Sequence, residues 1–158
     1  MFTVPARTTI EAREASYEEA CSINQQNSLP RRKISKQSFA ILGKIRELDD
    51  LITPAMQKRL HEVHPEVSFS MMNGGVSLKS RKKDDEGRKQ RISLLIKSGF
   101  PWMLMPELHY LRKHVALDDL VDACACAWSA RRISEGAAIT FPHHQEYDAR
   151  GLEMSIKA

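Results

Sequence analysis

From Leu117 to Glu135 the sequence carries its clearest helical pattern, and that segment limits what the rest of the chain can build. Leu117, Leu120, Val121, Cys124 and Trp128 recur along one face, and Gly136 supplies the stop. At its centre, Ala123-Cys124-Ala125-Cys126-Ala127-Trp128 is apolar all round, which predicts a helix buried on most sides. Such a helix needs a core to cover it. With 158 residues, of which 42% are apolar, the chain can supply one within a single domain spanning 1–158.

Turn and cap signals divide that domain. Ser16-Tyr17-Glu18-Glu19 has capping-box spacing, so a helix is expected from Tyr17 toward Asn27. Leu29 to Lys33 is a basic connector, after which Ser35 caps a helix running through Phe39, Ile41, Leu42, Ile45 and Leu48 to Thr53-Pro54. A short helix is expected from Pro54 to about Leu60, with Pro as its first residue. His61 to His64 reads as a brief strand stopped by Pro65. Further helices are expected over Pro65–Met72, Gly87–Lys97 and Pro106–Lys113, with Asn73-Gly74-Gly75 as a turn. Ala138–Phe141 and Leu152–Ile156 have the character of terminal strands. The result is a helix-rich α/β chain with a few short strands.

Acids mark the start of the long helix. Asp119 and Asp122 are three residues apart and so are neighbours on its surface. Carboxylates crowded beside apolar packing repel one another, and a hard divalent cation such as Mg²⁺ or Mn²⁺ relieves that repulsion. The same acids also have an ordinary role, because Asp is favoured in a first turn and Asp118 is a candidate N-cap. Glu62, on the expected strand beside Pro65, is a third candidate ligand, and Glu66 is its alternative.

Charge points to a partner. The net charge is +4, and residues 79–91 hold seven basic and three acidic side chains, a surplus equal to that of the whole chain. Lys79, Arg81, Lys82, Lys83 and Arg88 are the candidates for contacting the phosphates of a nucleic acid, since clustered Lys and Arg release counterions on binding. A solvated loop with solubilising charge is the plainer reading of the same run.

Other chemistries find little support. His61 and His64 have some metal-ligand character, but no second His or Cys cluster completes a zinc site. Cys124 and Cys126 point about 160° apart on a helix and cannot chelate one ion together. There is no Walker loop, dinucleotide fingerprint or nucleophile elbow. No run approaches the roughly 20 apolar residues of a membrane helix, and no secretory signal is visible. Three cysteines, an odd number, argue for a reducing compartment, so the cytoplasm is the expected location.

Taken together, the segments resemble the proteins grouped as domain of unknown function 429, predicted nucleases of the ribonuclease H-like superfamily. The resemblance is carried by Ser16–Cys21, Lys44–Asp49, Glu62–Phe69, Asn73-Gly74-Gly75, Asp118–Ala123 with Ala127-Trp128, and Asp148–Leu152. It implies a resolvase-type ribonuclease H-like fold, in which a mixed sheet flanked by helices presents acids to two divalent ions that cleave phosphodiester bonds. Asp119 to Ala123 resembles the acidic C-terminal run of the Holliday-junction resolvases. By that likeness Asp122, assisted by Asp119, would hold Mg²⁺ or Mn²⁺, and Glu62 would be the acid of the fourth strand. The family's first strand carries a further Asp that this sequence does not show, so the resemblance implies the C-terminal portion of such a domain, truncated at its N-terminus. Two readings follow: a metal-dependent nuclease, incomplete in this chain, and a non-catalytic nucleic-acid-binding or protein-interaction module of the same shape. An uncovered sheet edge would favour a homo-oligomer.

Overall fold

In the computed structural model, residues 4–101 and 115–158 are described. The chain forms two compact units, Met1–Thr53 and Pro54–Ala158. The helix expected over Pro106–Lys113 and the side chain of Trp102 lie outside the described residues.

The first unit contains α1 (Arg7–Glu11), α2 (Tyr17–Asn27), α3 (Lys36–Ala40) and α4 (Leu42–Leu51). The capping box of α2 forms as its spacing predicts: Ser16 Oγ accepts from the Glu19 N–H, and the Ser16 N–H donates to the Glu19 carboxylate at 2.8 Å. Ser35 likewise caps α3 by accepting from the Ser38 N–H at 3.0 Å. The single helix expected to run from there to Thr53 is instead broken at Ile41, whose φ and ψ of −100° and 2° end α3 and begin α4. Ala20, Cys21, Ile34 and Leu42 form the core, with Tyr17, Phe39 and Ile45 against them. Asn24 is fully buried, accepts from the Ala6 N–H at 2.7 Å and donates to the Arg32 carbonyl at 2.8 Å, so it ties α2 to the chain on either side. Arg46 of α4 donates to the carbonyls of Thr9, Ile10, Ala12 and Arg13, covering the orphan carbonyls at the end of α1.

The second unit holds α5 (Pro65–Met72), α6 (Asp85–Lys97), α7 (Leu117–Ser134), β1 (Thr140–Phe141) and β2 (Ile156–Lys157). Its core joins the three helices through Phe69, Leu95, Val121 and Ala125. Buried Ser68 and Ser129 close the α5–α7 contact with a hydroxyl pair at 2.8 Å. Gly136, at φ 68°, ends α7 by letting the Ala137 N–H turn back to the Arg132 carbonyl at 2.8 Å. β1 and β2 pair antiparallel, Thr140 opposite Lys157 and Phe141 opposite Ile156.

Several local expectations are corrected. Only Met56–Lys58, a single 3₁₀ turn, forms where a helix from Pro54 to Leu60 was expected. His61–His64 is not a strand. Its extended shape comes from Pro65, the first residue of α5, and from His64, the N-cap, whose carbonyl accepts from the N–H groups of Val67 and Ser68. One bond links this stretch to the terminal pair, from the Lys157 N–H to the Glu62 carbonyl at 2.9 Å. The second terminal strand is shifted from Leu152–Ile156 to Ile156–Lys157. The run Ala123–Trp128 is not covered all round either: Ala125 and Trp128 are buried, while Ala123 and Ala127 are exposed.

Candidate functional site

α7 begins at Leu117 with Ala116 as its N-cap, not Asp118, so Asp118 and Asp119 lie in the first turn, where the helix dipole favours negative charge. Asp122 follows Asp118 by four residues and shares its side of the helix. The ammonium of Lys82 sits 2.9 Å from Asp122 Oδ2, with Lys82 40% and Asp122 22% exposed. The hydrogen bond to Asp122 holds the Lys82 pKa above its ordinary value against the opposing effect of burial, and the charges of Asp122, Asp118 and Glu66 add lesser contributions to the rise. Carboxylates from α5 and α7 therefore act on one cation. Asp119, by contrast, is exposed.

Glu66 reaches this region from the first turn of α5. Its two oxygens accept from Arg91 Nε at 3.2 Å and from Nη2 at 2.8 Å, a two-pronged pair. Arg91 is 4% exposed, and its Nη1 donates to the carbonyls of Ser80 at 3.2 Å and Gly87 at 2.8 Å, while the guanidinium lies over the Phe69 ring. A side chain at Gly87 would place its Cβ 2.0 Å from the Arg81 carbonyl oxygen, so only glycine lets the segment before α6 pack this closely.

This packing divides the basic run. The segment is not one loop, because α6 starts at Asp85 and takes in Arg88 and Arg91. Arg91 is buried on Glu66, Arg88 pairs with Asp85 at 2.6 Å, and Lys82 pairs with Asp122. Lys79, Arg81, Lys83 and Lys89 are exposed. They form the outward-facing basic surface.

Glu62 stands apart from the acids of α7 in its contacts. It is exposed on the non-strand stretch whose backbone pairs with Lys157. The nearby His61 is held below its ordinary pKa by burial and by the charge of Lys157, with Glu153 opposing. Burial pushes the thiols of Cys124 and Cys126 up, which leaves them protonated and poor nucleophiles.

Among the described residues, no three of His, Cys, Asp and Glu form a group that could hold a metal ion. Glu62, Asp119 and Asp122 are thus not brought together. Asp122 is held on Lys82 and Glu66 on Arg91, and with Asp118 these acids do not form such a group either. Glu66 was the alternative to Glu62 in the sequence. Asp118 was legible only through its four-residue spacing to Asp122.

The family described as "Protein of unknown function (DUF429)" matches residues 1–147. No curated protein and no solved structure matches the chain. Among the described residues, no helix is long and apolar enough to cross a membrane.

Proposed function

The chain belongs to the family of unknown function DUF429, and from that premise we propose that it is a ribonuclease H-like nuclease that hydrolyses phosphodiester bonds with Mg²⁺ or Mn²⁺. The observation that supports this reading is Asp122 on α7, one turn after Asp118 and held 2.9 Å from the Lys82 ammonium, on the segment that carries the exposed Lys79, Arg81 and Lys83. Asp122 and Asp118 would hold the metal from α7. A bound divalent ion supplies Lewis acidity and an activated water. The chain's own contribution is to place substrate: Lys79, Arg81 and Lys83 offer exposed positive charge to a phosphate backbone beside the carboxylates. Glu62 and Asp119 have no part in this arrangement.

The test is a pair of measurements on the full chain and its Asp122→Asn variant. Titration with Mn²⁺ followed by calorimetry should show binding that Asp122→Asn removes, and metal-dependent cleavage of a DNA or RNA substrate should vanish with it, while the unfolding midpoint is retained. Cleavage that survives Asp122→Asn at the level of the unaltered chain would overturn the assignment.

A second reading is favoured by the pairing of Asp122 with Lys82 and of Glu66 with Arg91. With its acids already neutralised, the domain would be a non-catalytic module that binds nucleic acid through Lys79, Arg81 and Lys83. Its mark is salt-dependent binding that EDTA does not weaken.

A further inference from the structure

We infer that the connector between α2 and α3 is a second surface for a nucleic-acid backbone, on which Arg31, Arg32, Lys33 and Lys36 contact phosphates. It belongs to the first unit, whereas Lys79, Arg81 and Lys83 belong to the second, and it needs neither the metal nor the cleavage proposed above.

Charge is unevenly divided within the first unit. Residues 1–53 hold eight basic and seven acidic side chains and are nearly balanced. All seven acids, however, fall within 11–19 and 47–50, and residues 20–46 hold six cations and no acid. Folding completes the separation. Arg7 and Arg13 pair with Asp49 and Asp50, and Arg46 is spent on the carbonyls at the end of α1. Arg31, Arg32, Lys33, Lys36 and Lys44 are exposed and make no ion pair among the described residues. Four of these five lie within six residues, where like charges repel and nothing inside the unit offsets them. A polyanion from outside does.

The connector is also held in place. The fully buried Asn24 donates to the Arg32 carbonyl at 2.8 Å, and the Arg32 N–H donates to Ser28 Oγ at 3.1 Å. Ile34 is 1% exposed in the core, and its carbonyl accepts from the Tyr17 hydroxyl at 3.3 Å. The backbone is thus fixed on both sides of Lys33 while the cationic side chains stay in solvent, so little chain entropy is lost when a partner docks. The planar forks of Arg31 and Arg32 suit phosphate oxygens taken in pairs. An anionic membrane attracts the same charges, but an interfacial binder buries an apolar face, and here a single apolar side chain, Leu29 at 96% exposed, stands beside the cations. Nucleic acid is the partner that asks for charge alone.

The experiment is fluorescence anisotropy of a labelled DNA duplex and of a labelled RNA strand, each titrated with the full chain between roughly 50 and 200 mM salt. For the probe that binds, Arg31→Gln/Arg32→Gln/Lys33→Gln should lower the slope of log K against log salt by about 2.7 on the duplex or about 2.1 on the single strand. Arg31→Gln/Lys33→Gln, with an expected fall of about 1.8 on the duplex, replaces the triple variant if that chain loses its far-ultraviolet circular dichroism spectrum. Lys58→Gln/Arg59→Gln/Lys97→Gln removes three exposed charges elsewhere and should change the slope by less than about 0.5. The fall should persist in a chain that already carries Lys79→Ala, Arg81→Ala and Lys83→Ala, which reads the two surfaces apart. An unchanged slope in a folded connector variant would overturn the inference. So would an equal fall in the Lys58, Arg59 and Lys97 variant, as an effect of net charge, or a fall that vanishes once residues 79, 81 and 83 are replaced. Capture by phosphatidylserine vesicles that Leu29→Ser removes, without nucleic-acid binding that the connector carries, would overturn it in favour of a lipid surface.

Discussion

The guanidinium of Arg91 makes four hydrogen bonds from a side chain only 4% exposed: two to Glu66 and one each to the carbonyls of Ser80 and Gly87. These bonds fasten α5 to α6 and fix the segment that carries Lys82, so Arg91 acts on the acidic site by position. Arg91→Met keeps the apolar stem over Phe69 but strands two carbonyls and the Glu66 carboxylate. Because Glu66 is 40% exposed, water takes part of that loss, and the expected cost is about 2 kcal/mol. Urea unfolding followed by circular dichroism measures it, and a loss below about 0.5 kcal/mol would mean that Arg91 is not a fastening. Gly87→Ala should cost about 1–3 kcal/mol, because the Arg81 carbonyl 2.0 Å from the new Cβ is backbone and can yield only by moving the segment. The same displacement should loosen Lys82 from Asp122. A Gly87→Ala chain as stable as the original would show that the segment before α6 packs elsewhere.

At the scale of elements, the helices whose starts are written in a few adjacent residues are the ones that sequence predicts best. Ser16-Tyr17-Glu18-Glu19 and Ser35 to Ser38 place their caps within one turn, and both caps form. Ser16→Ala should destabilise α2 by about 1 kcal/mol at neutral pH. Hydrogen bonds from the Ser16 backbone and side chain hold Glu19 below its ordinary pKa, so the part made by the ionised carboxylate is lost as the pH falls through the lowered value, whereas the Ser16 Oγ bond from the Glu19 N–H does not titrate. Thermal unfolding of the two chains should accordingly differ at pH 7 by more than in acid, where the cap bond alone remains; a gap that persists unchanged would exclude the ionised carboxylate as a part of it. Where shape is decided by distant partners, local signals mislead. His61 to His64 looks like a strand because Pro65 forces extension, yet whether an extended stretch pairs depends on residues about 90 positions away, where Lys157 supplies a single bond among the described residues. The break at Ile41 carries no proline or glycine at the break itself, so helical periodicity reads straight through it.

For the whole molecule, the deciding question is how much of the basic surplus is available to a partner. Composition counts all seven cations between 79 and 91 alike, because pairing between residues 25 positions apart, as in Arg91 with Glu66, or 40 apart, as in Lys82 with Asp122, leaves no mark on the sequence. The same blindness favoured Asp119 over Asp118 as the partner of Asp122: both spacings suit a helix, and only the packing of α5 and α6 against α7 selects the side that faces Lys82. Folding thus withdraws Arg91, Arg88 and Lys82 into ion pairs and leaves Lys79, Arg81, Lys83 and Lys89 facing solvent. The consequence is quantitative. Each phosphate neutralised adds about 0.9 to the slope of log K against log salt for duplex DNA, so replacing Lys79, Arg81 and Lys83 together by Ala should lower the slope by about 2.7. Arg88→Ala, made alone, should leave the slope within about 0.3 of the original, because its charge is already satisfied by Asp85. Fluorescence anisotropy of a labelled duplex, between roughly 50 and 200 mM salt, reads both. A slope unchanged by the triple substitution would place the nucleic-acid contact away from this segment. A large fall on replacing Arg88 would show that the pair with Asp85 opens on binding, and that the available charge is set by the complex and not by the free fold.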